Sequence, residues 1–331
     1  MIQWAKILWE GILITRLVTM ALLAAVALSG ARAQSYPNKP VTVVVPFTAG
    51  GATDILGRIA AEVLQNAYNQ TFVVENRTGA GGVIGYSSVA RAAPDGHTLL
   101  FAPTAFTIVP FVSKSVNYDT AKDLKPVTLL AYTSNMMVVN PNVPARTVQE
   151  FIDYVKKSDK EVYYASPGVG TPTHLGVEVF ARQAGIKLVH VPYRGVAEAM
   201  NDLLSGQSSM IFSDLPAAIP LVQDGKIRAL GVLTKDRHPL VPEIPTVAET
   251  LPGFWLMGWH GLLAPGGTPD EIIDKLHTPL VAYLKTPAAA ERLRKIGVDV
   301  AWTTPREMRE WIDSQLAWWG KVARDAGVTP Q

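Results

Sequence analysis

The sequence has no cysteine among its 331 residues. This absence excludes disulfide bonds, thiolate metal sites, a cysteine nucleophile and a lipid-anchoring cysteine directly after an export signal. Blocks of like charge are also missing, and 30 basic residues nearly balance 28 acidic ones. With no basic stripe along the chain, the sequence gives no reason to expect a nucleic-acid partner.

Signatures of catalysis are missing as well. The hydrolase elbow G-x-S-x-G and the zinc motif H-E-x-x-H are absent, and the six histidines show no paired metal spacing. Asp54, His174 and Asp214 can be imagined as an acid/base set, but each is also explained as a helix-start or turn residue. We therefore expect a non-enzyme without metal or cofactor, and an enzyme acting on a carboxylate is the weaker alternative.

The first 33 residues have the pattern of a secretory signal peptide. Lys6 and Arg16 precede an apolar run over residues 17–28, and Ala31-Arg32-Ala33 is a small-x-small cleavage pattern. A membrane span needs about 20 apolar residues, so this run is too short. We predict cleavage after Ala33 and an exported protein without a lipid anchor. The remaining 298 residues carry no net formal charge, because the signal holds three basic residues and one acidic residue.

The rest of the chain alternates short β-branched runs with amphipathic segments of helical period, which is typical of an α/β fold. The pattern starts with a strand over Val41 to Phe47 and a helix over Asp54 to Asn69, and it restarts near Ser134 with a strand over Met136 to Val139. From Pro269 the chain is mostly helical and too apolar to stand alone. We predict two lobes around a ligand cleft: residues 34–133 with the return segment 255–331, and residues 134–254. The chain would cross between them twice.

Two glycine-rich loops form a pseudo-repeat. Residues 46–54 and 165–174 each follow a predicted strand and lead into a helix. Glycine lets a ligand approach the bare amides at a helix start, where the helix dipole adds positive charge, so a carboxylate can be held without Lys or Arg. A single loop of this kind is explained by a tight turn alone, but a matched pair favours a carboxylate site. A third cluster, residues 79–85, is interpreted as a structural turn.

The chain resembles the Bug family, also called the TctC family, which are the binding components of tripartite tricarboxylate transporters. The resemblance covers nearly the whole chain after the signal. Its landmarks occur in order and include Tyr36 to Pro40, Pro46 to Asp54, Val74 to Arg77, Ala93 to Gly96, Tyr164 to Leu175, His190 to Gly195, Pro245 to Glu249 and Gly261 to Pro265.

This resemblance implies a two-lobed periplasmic binding protein of type II topology. It also implies delivery of carboxylates to a small and a large membrane subunit. The positions that match the family's binding residues, together with Gly50 of the first loop, are Phe47, Thr48, Ala49, Gly51, Asp54, Thr104, Ala105, Phe106, Ser166, Gly168, Gly170, Thr171, His174 and Asp214.

The identity of the ligand stays open. Dicarboxylates, amino acids and aromatic acids all suit a cleft with two amide loops, and Phe47, Phe106 and Trp259 favour an aromatic or long acid. We expect a monomer. A sensor that presents its ligand to a membrane histidine kinase is the alternative to transport.

Overall fold

The computed structural model describes residues 36–325 and residue 330. The predicted signal peptide and its cleavage after Ala33 lie outside the described residues. Within the described part, every helix is too short or too polar to cross a membrane.

The described chain contains ten strands and nine α-helices. The strands are β1 (Val41–Val45), β2 (Phe72–Asn76), β3 (Thr98–Pro103), β4 (Leu124–Val139), β5 (Tyr163–Ser166), β6 (Val189–Pro192), β7 (Met210–Asp214), β8 (Arg228–Val232), β9 (Met257–Pro265) and β10 (Val298–Val300). The helices are α1 (Ala52–Tyr68), α2 (Val83–Ala90), α3 (Val148–Lys157), α4 (Pro172–Ala184), α5 (Val196–Ser205), α6 (Leu215–Gln223), α7 (Asp270–Leu284), α8 (Pro287–Arg294) and α9 (Pro305–Asp325).

The strands divide into two lobes with the same internal order. In the first lobe, β2, β1 and β3 are parallel neighbours, and antiparallel β9 lies between β3 and the first part of β4. In the second lobe, β6, β5 and β7 are parallel neighbours, and the second part of β4 lies antiparallel between β7 and β8. The predicted two-lobed α/β fold is confirmed, and the glycine-loop pseudo-repeat is part of this repeated topology.

Two strands connect the lobes. Strand β4 pairs with β9 as far as Ser134 and with β7 from Asn135. The return passes from Leu256, whose amide N–H bonds to Leu233 of the second lobe, into Met257 at the start of β9. These points lie close to the predicted crossings, while the lobe boundaries at residues 133/134 and 254/255 stay predictions.

The apolar core has separate clusters on the two lobes, and the last helix touches two of them. Met308 and Ile312 of α9 pack in the first-lobe cluster around Leu100 and Trp259. Farther along, Trp319 joins a cluster formed mainly by second-lobe residues. The apolar face of this helix therefore packs from one cluster to the other, as expected for a segment too apolar to stand alone.

The sequence patterns located most elements to within a few residues but missed the crossing strands. Of β4, only Met136 to Val139 was predicted as a strand, and neither β9 nor β10 was predicted. Pro126, which has no amide N–H, lies at a register shift in β4, and polar residues follow it. This strand therefore lacks a regular apolar period.

Candidate functional site

A cleft of about 600 Å³, including its opening to solvent, lies between the two lobes. It is open at the carboxyl ends of β1, β3, β5 and β7, where ligands bind in open α/β sheets. The lining residues are Phe47, Thr48, Gly51, Ala52, Thr53, Pro103, Thr104, Ala105, Thr133, Asn135, Pro167, Thr171, Pro172, Thr173, Val196, Asp214, Gly258 and His260.

Asp54 holds the first glycine loop in shape. Its carboxylate accepts hydrogen bonds from the Gly50 amide (3.2 Å), from Arg58 (3.0 Å to each oxygen) and from Asn76 Nδ2 (3.0 Å). Burial raises the pKa of Asp54, but these hydrogen bonds outweigh it and leave the pKa below its usual value. The Asp54 carboxylate therefore stabilises the first loop, and Asp54 does not line the cleft.

The first turn of α1 presents one free amide to the cleft. Gly51 is its N-cap and offers no side-chain cap. The Ala52 amide donates to Asp214 Oδ2 across the cleft at 3.2 Å. Among the described residues no acceptor is found for the Thr53 amide N–H, so it can bind a ligand oxygen.

The second loop satisfies most of its own amides. Ser166 Oγ accepts from the Gly168 amide (3.1 Å), and His174 Nδ1 accepts from the Gly170 amide (3.3 Å). Thr171 caps α4 by accepting from the His174 amide at 3.2 Å. The described chain provides no acceptor for the Thr173 amide, which occupies the same helical position as Thr53 in α1.

A histidine pair supports this loop from behind. His174 and His190 stack with ring centroids 4.1 Å apart, and His190 Nε2 lies 2.6 Å from Ser166 Oγ. Burial lowers the pKa of His174 to about 4. Burial, and after it the repulsion that a protonated His174 would exert, lowers the pKa of His190 to about 3. Both rings are neutral at physiological pH, so they add no positive charge to the site.

Asp214 bridges the two lobes. It is the N-cap of α6, where its Oδ1 accepts from the Ala217 amide at 3.0 Å, while Oδ2 accepts from Ala52 at the start of α1. Burial raises the pKa of Asp214, and the two amides act against that shift. The carboxylate thus lies at two helix N-termini at once, which favours its charged form.

The floor of the cleft comes from the crossing strands. Asn135 and Thr133 belong to β4, and His260 belongs to β9. Thr53 Oγ1 lies 3.1 Å from His260 Nε2, and burial lowers the pKa of His260 to about 3. Sequence reasoning named none of these three floor residues, because the strands that carry them have no glycine loop and no regular period.

The structure separates the predicted site residues into two groups. Those that line the cleft are Phe47, Thr48, Gly51, Thr104, Ala105, Thr171 and Asp214. Those that are not part of the lining are Ala49 and Gly50, which are exposed, and Asp54, Phe106, Ser166, Gly168, Gly170 and His174, which are buried. The second group contains most of the hydrogen bonds that shape the two loops.

The aromatic residues support an aromatic ligand less than the sequence suggested. Phe106 is fully buried and packs edge-on against Tyr86 at 5.5 Å between ring centroids. Trp259 is 1% exposed and also lies in the core. Of the three residues that favoured an aromatic or long acid, only Phe47 lines the cleft, so that argument is largely lost.

Glycines line the contacts where the lobes meet around the cleft. A Cβ on Gly81 would lie 2.1 Å from the Val169 carbonyl oxygen, and one on Gly195 would lie 1.8 Å from Thr48 Oγ1. The third glycine cluster, interpreted as a structural turn, therefore packs directly against the second loop.

Comparisons with known proteins identify the family. The sequence profile of the tripartite tricarboxylate transporter family receptor, TctC, matches residues 56–328. This chain belongs to that family. It is 33% identical to the protein BugT of Bordetella pertussis over 299 residues, which cover 89% of this chain and 92% of BugT.

Two solved structures of this family are similar in fold. Rpa4515 of R. palustris, solved with adipate, is 35% identical with a TM-score of 0.87, over 90% of this chain and all of that one. MatC (Rpa3494) from Rhodopseudomonas palustris, solved with malate, is 31% identical with a TM-score of 0.80, over 87% of this chain and 99% of that one. These similarities confirm the predicted Bug/TctC membership.

Proposed function

We propose that this chain captures a small carboxylate in the interlobe cleft and delivers it to the small and large membrane subunits of a tripartite tricarboxylate-type transporter. The observation that carries the proposal is the pair of free amides, Thr53 and Thr173, at two helix starts that line one cleft. Amide donors at a helix N-terminus bind anions without a cationic side chain. Adipate and malate, bound by two similar proteins, are of this ligand class.

In this proposal the lobes are residues 34–133 with 255–331, and residues 134–254. Strand β4 and the segment entering β9 act as the hinge. The protein is a periplasmic monomer, released from its signal peptide after Ala33. Capture consists of closing the loops around the ligand, and the membrane subunits recognise the closed form.

A ligand screen with a blocked cleft tests capture. A carboxylate at a hundred times its dissociation constant should raise the free energy of unfolding by about 2.7 kcal/mol. Val196→Trp places a large ring in the cleft, where Val196 lies, and should remove this effect. Ala197→Trp, one residue farther along α5 and outside the cleft lining, is the matched control and should keep it. If no carboxylate stabilises the protein, or if Val196→Trp binds normally, the proposal is wrong.

Deletion of the gene tests delivery. Uptake of the acid found in the screen should be lost and should return with the wild-type gene. If uptake is unchanged while induction of acid-responsive genes is lost, the sensor alternative is correct and the transport proposal is wrong.

A further inference from the structure

The charge of the cleft limits the kind of acid that fits it. None of the described cleft-lining residues is Lys or Arg. The two that titrate near neutral or acidic pH are His260 and Asp214, and His260 is neutral because burial lowers its pKa to about 3. Asp214, which is 8% exposed, is the one acidic residue on the described lining. Burial raises its pKa, but both of its oxygens accept amide N–H bonds, and we assign it the charged form on that geometry.

The carboxylate of Asp214 already accepts a hydrogen bond at the positive N-terminal end of helix α1. Its Oδ2 accepts from the Ala52 amide, the first amide of that helix, although the two residues are 162 positions apart. Gly51 lies beside the same oxygen, since a Cβ on Gly51 would be 3.6 Å from it. A carboxylate of the protein therefore occupies much of the anion site that the first glycine loop would otherwise offer to a ligand.

The N-terminus of helix α4, across the cleft, differs from that of α1 in its hydrogen bonding. Pro172 stands at its first position and has no amide N–H, and the Thr173 amide that follows has no acceptor among the described residues. Both residues line the cleft. The start of α4 therefore keeps its unsatisfied positive end, and one full anion site remains open to a ligand.

We propose that the cleft selects monocarboxylates whose other end donates hydrogen bonds, such as an ammonium or primary amide group, over dicarboxylates of the same length. This inference rests on the proposed function. The ligand carboxylate lies at the start of α4, and the donor end lies toward Asp214, whose oxygens can each accept a second hydrogen bond. A second ionised carboxylate there meets Asp214 without a cation between them.

Matched ligands of equal length test the selection. Straight-chain diacids of four, five and six carbons are compared by calorimetric titration with their monoamides and with the ω-amino acids. Repulsion between two carboxylates in a partly desolvated site predicts that the diacid binds roughly tenfold more weakly, or worse, than the tighter of its two partners. The inference is overturned if the wild-type protein binds the diacid as tightly as the tighter of its two partners, in each length that binds at all.

Removing the charge of Asp214 tests whether this residue causes the selection against diacids. In Asp214→Asn, the asparagine still caps helix α6. The ratio between the dissociation constants of the diacid and of its tighter partner should fall by about tenfold. Asp224→Asn, at the exposed other end of the same helix, is the control and should leave the preference unchanged. An unchanged preference in folded Asp214→Asn overturns the inference, and the wild-type comparison decides if that variant fails to fold.

The outcomes also separate this inference from the proposed function. If diacids bind best and Val196→Trp abolishes their binding, carboxylate capture stands and the selection by Asp214 is wrong. If no acid of any series or of the earlier screen binds, both are wrong.

Discussion

Substitution of Gly195 by alanine should weaken ligand binding without damaging either lobe. Gly195 precedes helix α5 in a fully extended conformation, with φ 177° and ψ 176°, which alanine also adopts. The added Cβ would meet residues of the other lobe: it would lie 1.8 Å from Thr48 Oγ1 and 2.8 Å from the Thr48 amide nitrogen. The backbone contact cannot be relieved by rotating a side chain, so the lobes must move apart.

The size of the effect follows from that overlap. Carbon atoms need about 3.5 Å of separation, so the loops must separate by roughly 1–2 Å. Overpacking of this degree costs roughly 1–3 kcal/mol in the closed state. Because the proposed function has the ligand bind the closed state, the dissociation constant should rise by about five- to 150-fold. Without ligand, the free energy of unfolding should change by less than about 1 kcal/mol, since the packing inside each lobe is untouched.

Calorimetric titration with the best acid from the screen measures the affinity, and urea denaturation measures the stability. Gly267→Ala is the matched control, because Gly267 is exposed and its nearest contact is Pro94 at 3.3 Å in the same lobe. That variant should bind normally. Wild-type affinity in Gly195→Ala, or a loss of stability as large as the loss of affinity, would refute the closure argument.

Three further predictions concern the supports of the site. Asp54→Asn weakens the charged hydrogen bonds to Arg58 and to the first loop, so urea denaturation should show a loss of about 1–3 kcal/mol at pH 7. In the wild-type protein, the contribution of the Asp54 carboxylate to the free energy of unfolding should disappear as the pH falls through the pKa of Asp54, which lies below its ordinary value of 3.8. His174 has a folded pKa of about 4 against about 6.5 when unfolded, so the unfolded chain binds its proton first. His174 alone should lower the free energy of unfolding by up to about 1.4 kcal/mol per pH unit from pH 6.5 down to 4, in addition to the similar contributions of His190 and His260. His174→Gln should remove its part of the slope in denaturation curves at several pH values, and an unchanged slope would contradict the assignment. Trp319→Ala should lose about 3–5 kcal/mol in urea denaturation, whereas Trp318→Ala, 45% exposed, should lose under about 1 kcal/mol, and equal losses would contradict the packing of α9.

Local patterns made the loops predictable from the sequence. A glycine at a strand-to-helix turn indicates the backbone conformation of that turn, which involves only a few neighbouring residues. Gly50 has the left-handed φ, 97°, that such a turn requires. The capping role of Asp214 was equally visible, because the amide N–H that donates to it, that of Ala217, lies three residues away. The second hydrogen bond of Asp214, to Ala52, depends on the closed arrangement of two lobes and leaves no local pattern.

The floor of the site was hidden for the same reason. Asn135 and His260 enter the cleft only because β4 and β9 pair along the crossing, in a register that joins Ser134 to Met257. Such long-range pairing is set by the packing of both lobes. A Pro and several polar residues interrupt the alternation by which a buried strand is recognised.

The repeated topology also explains why the two anion sites differ. The same order of strands places a helix start on each side of the cleft, so the backbone alone would create two equal sites. The side chains at the two helix starts then make the two sites different. At the first helical position, α1 has Ala52, whose amide is taken by Asp214, while α4 has Pro172, which has no amide to give. Among the described residues, neither helix has an acceptor for its second amide, and the one acidic residue of the cleft lining, Asp214, bonds to the start of α1. In the proposed site, the fold therefore fixes where an anion binds, and a single side chain at the start of α6 sets which end of the ligand carries it.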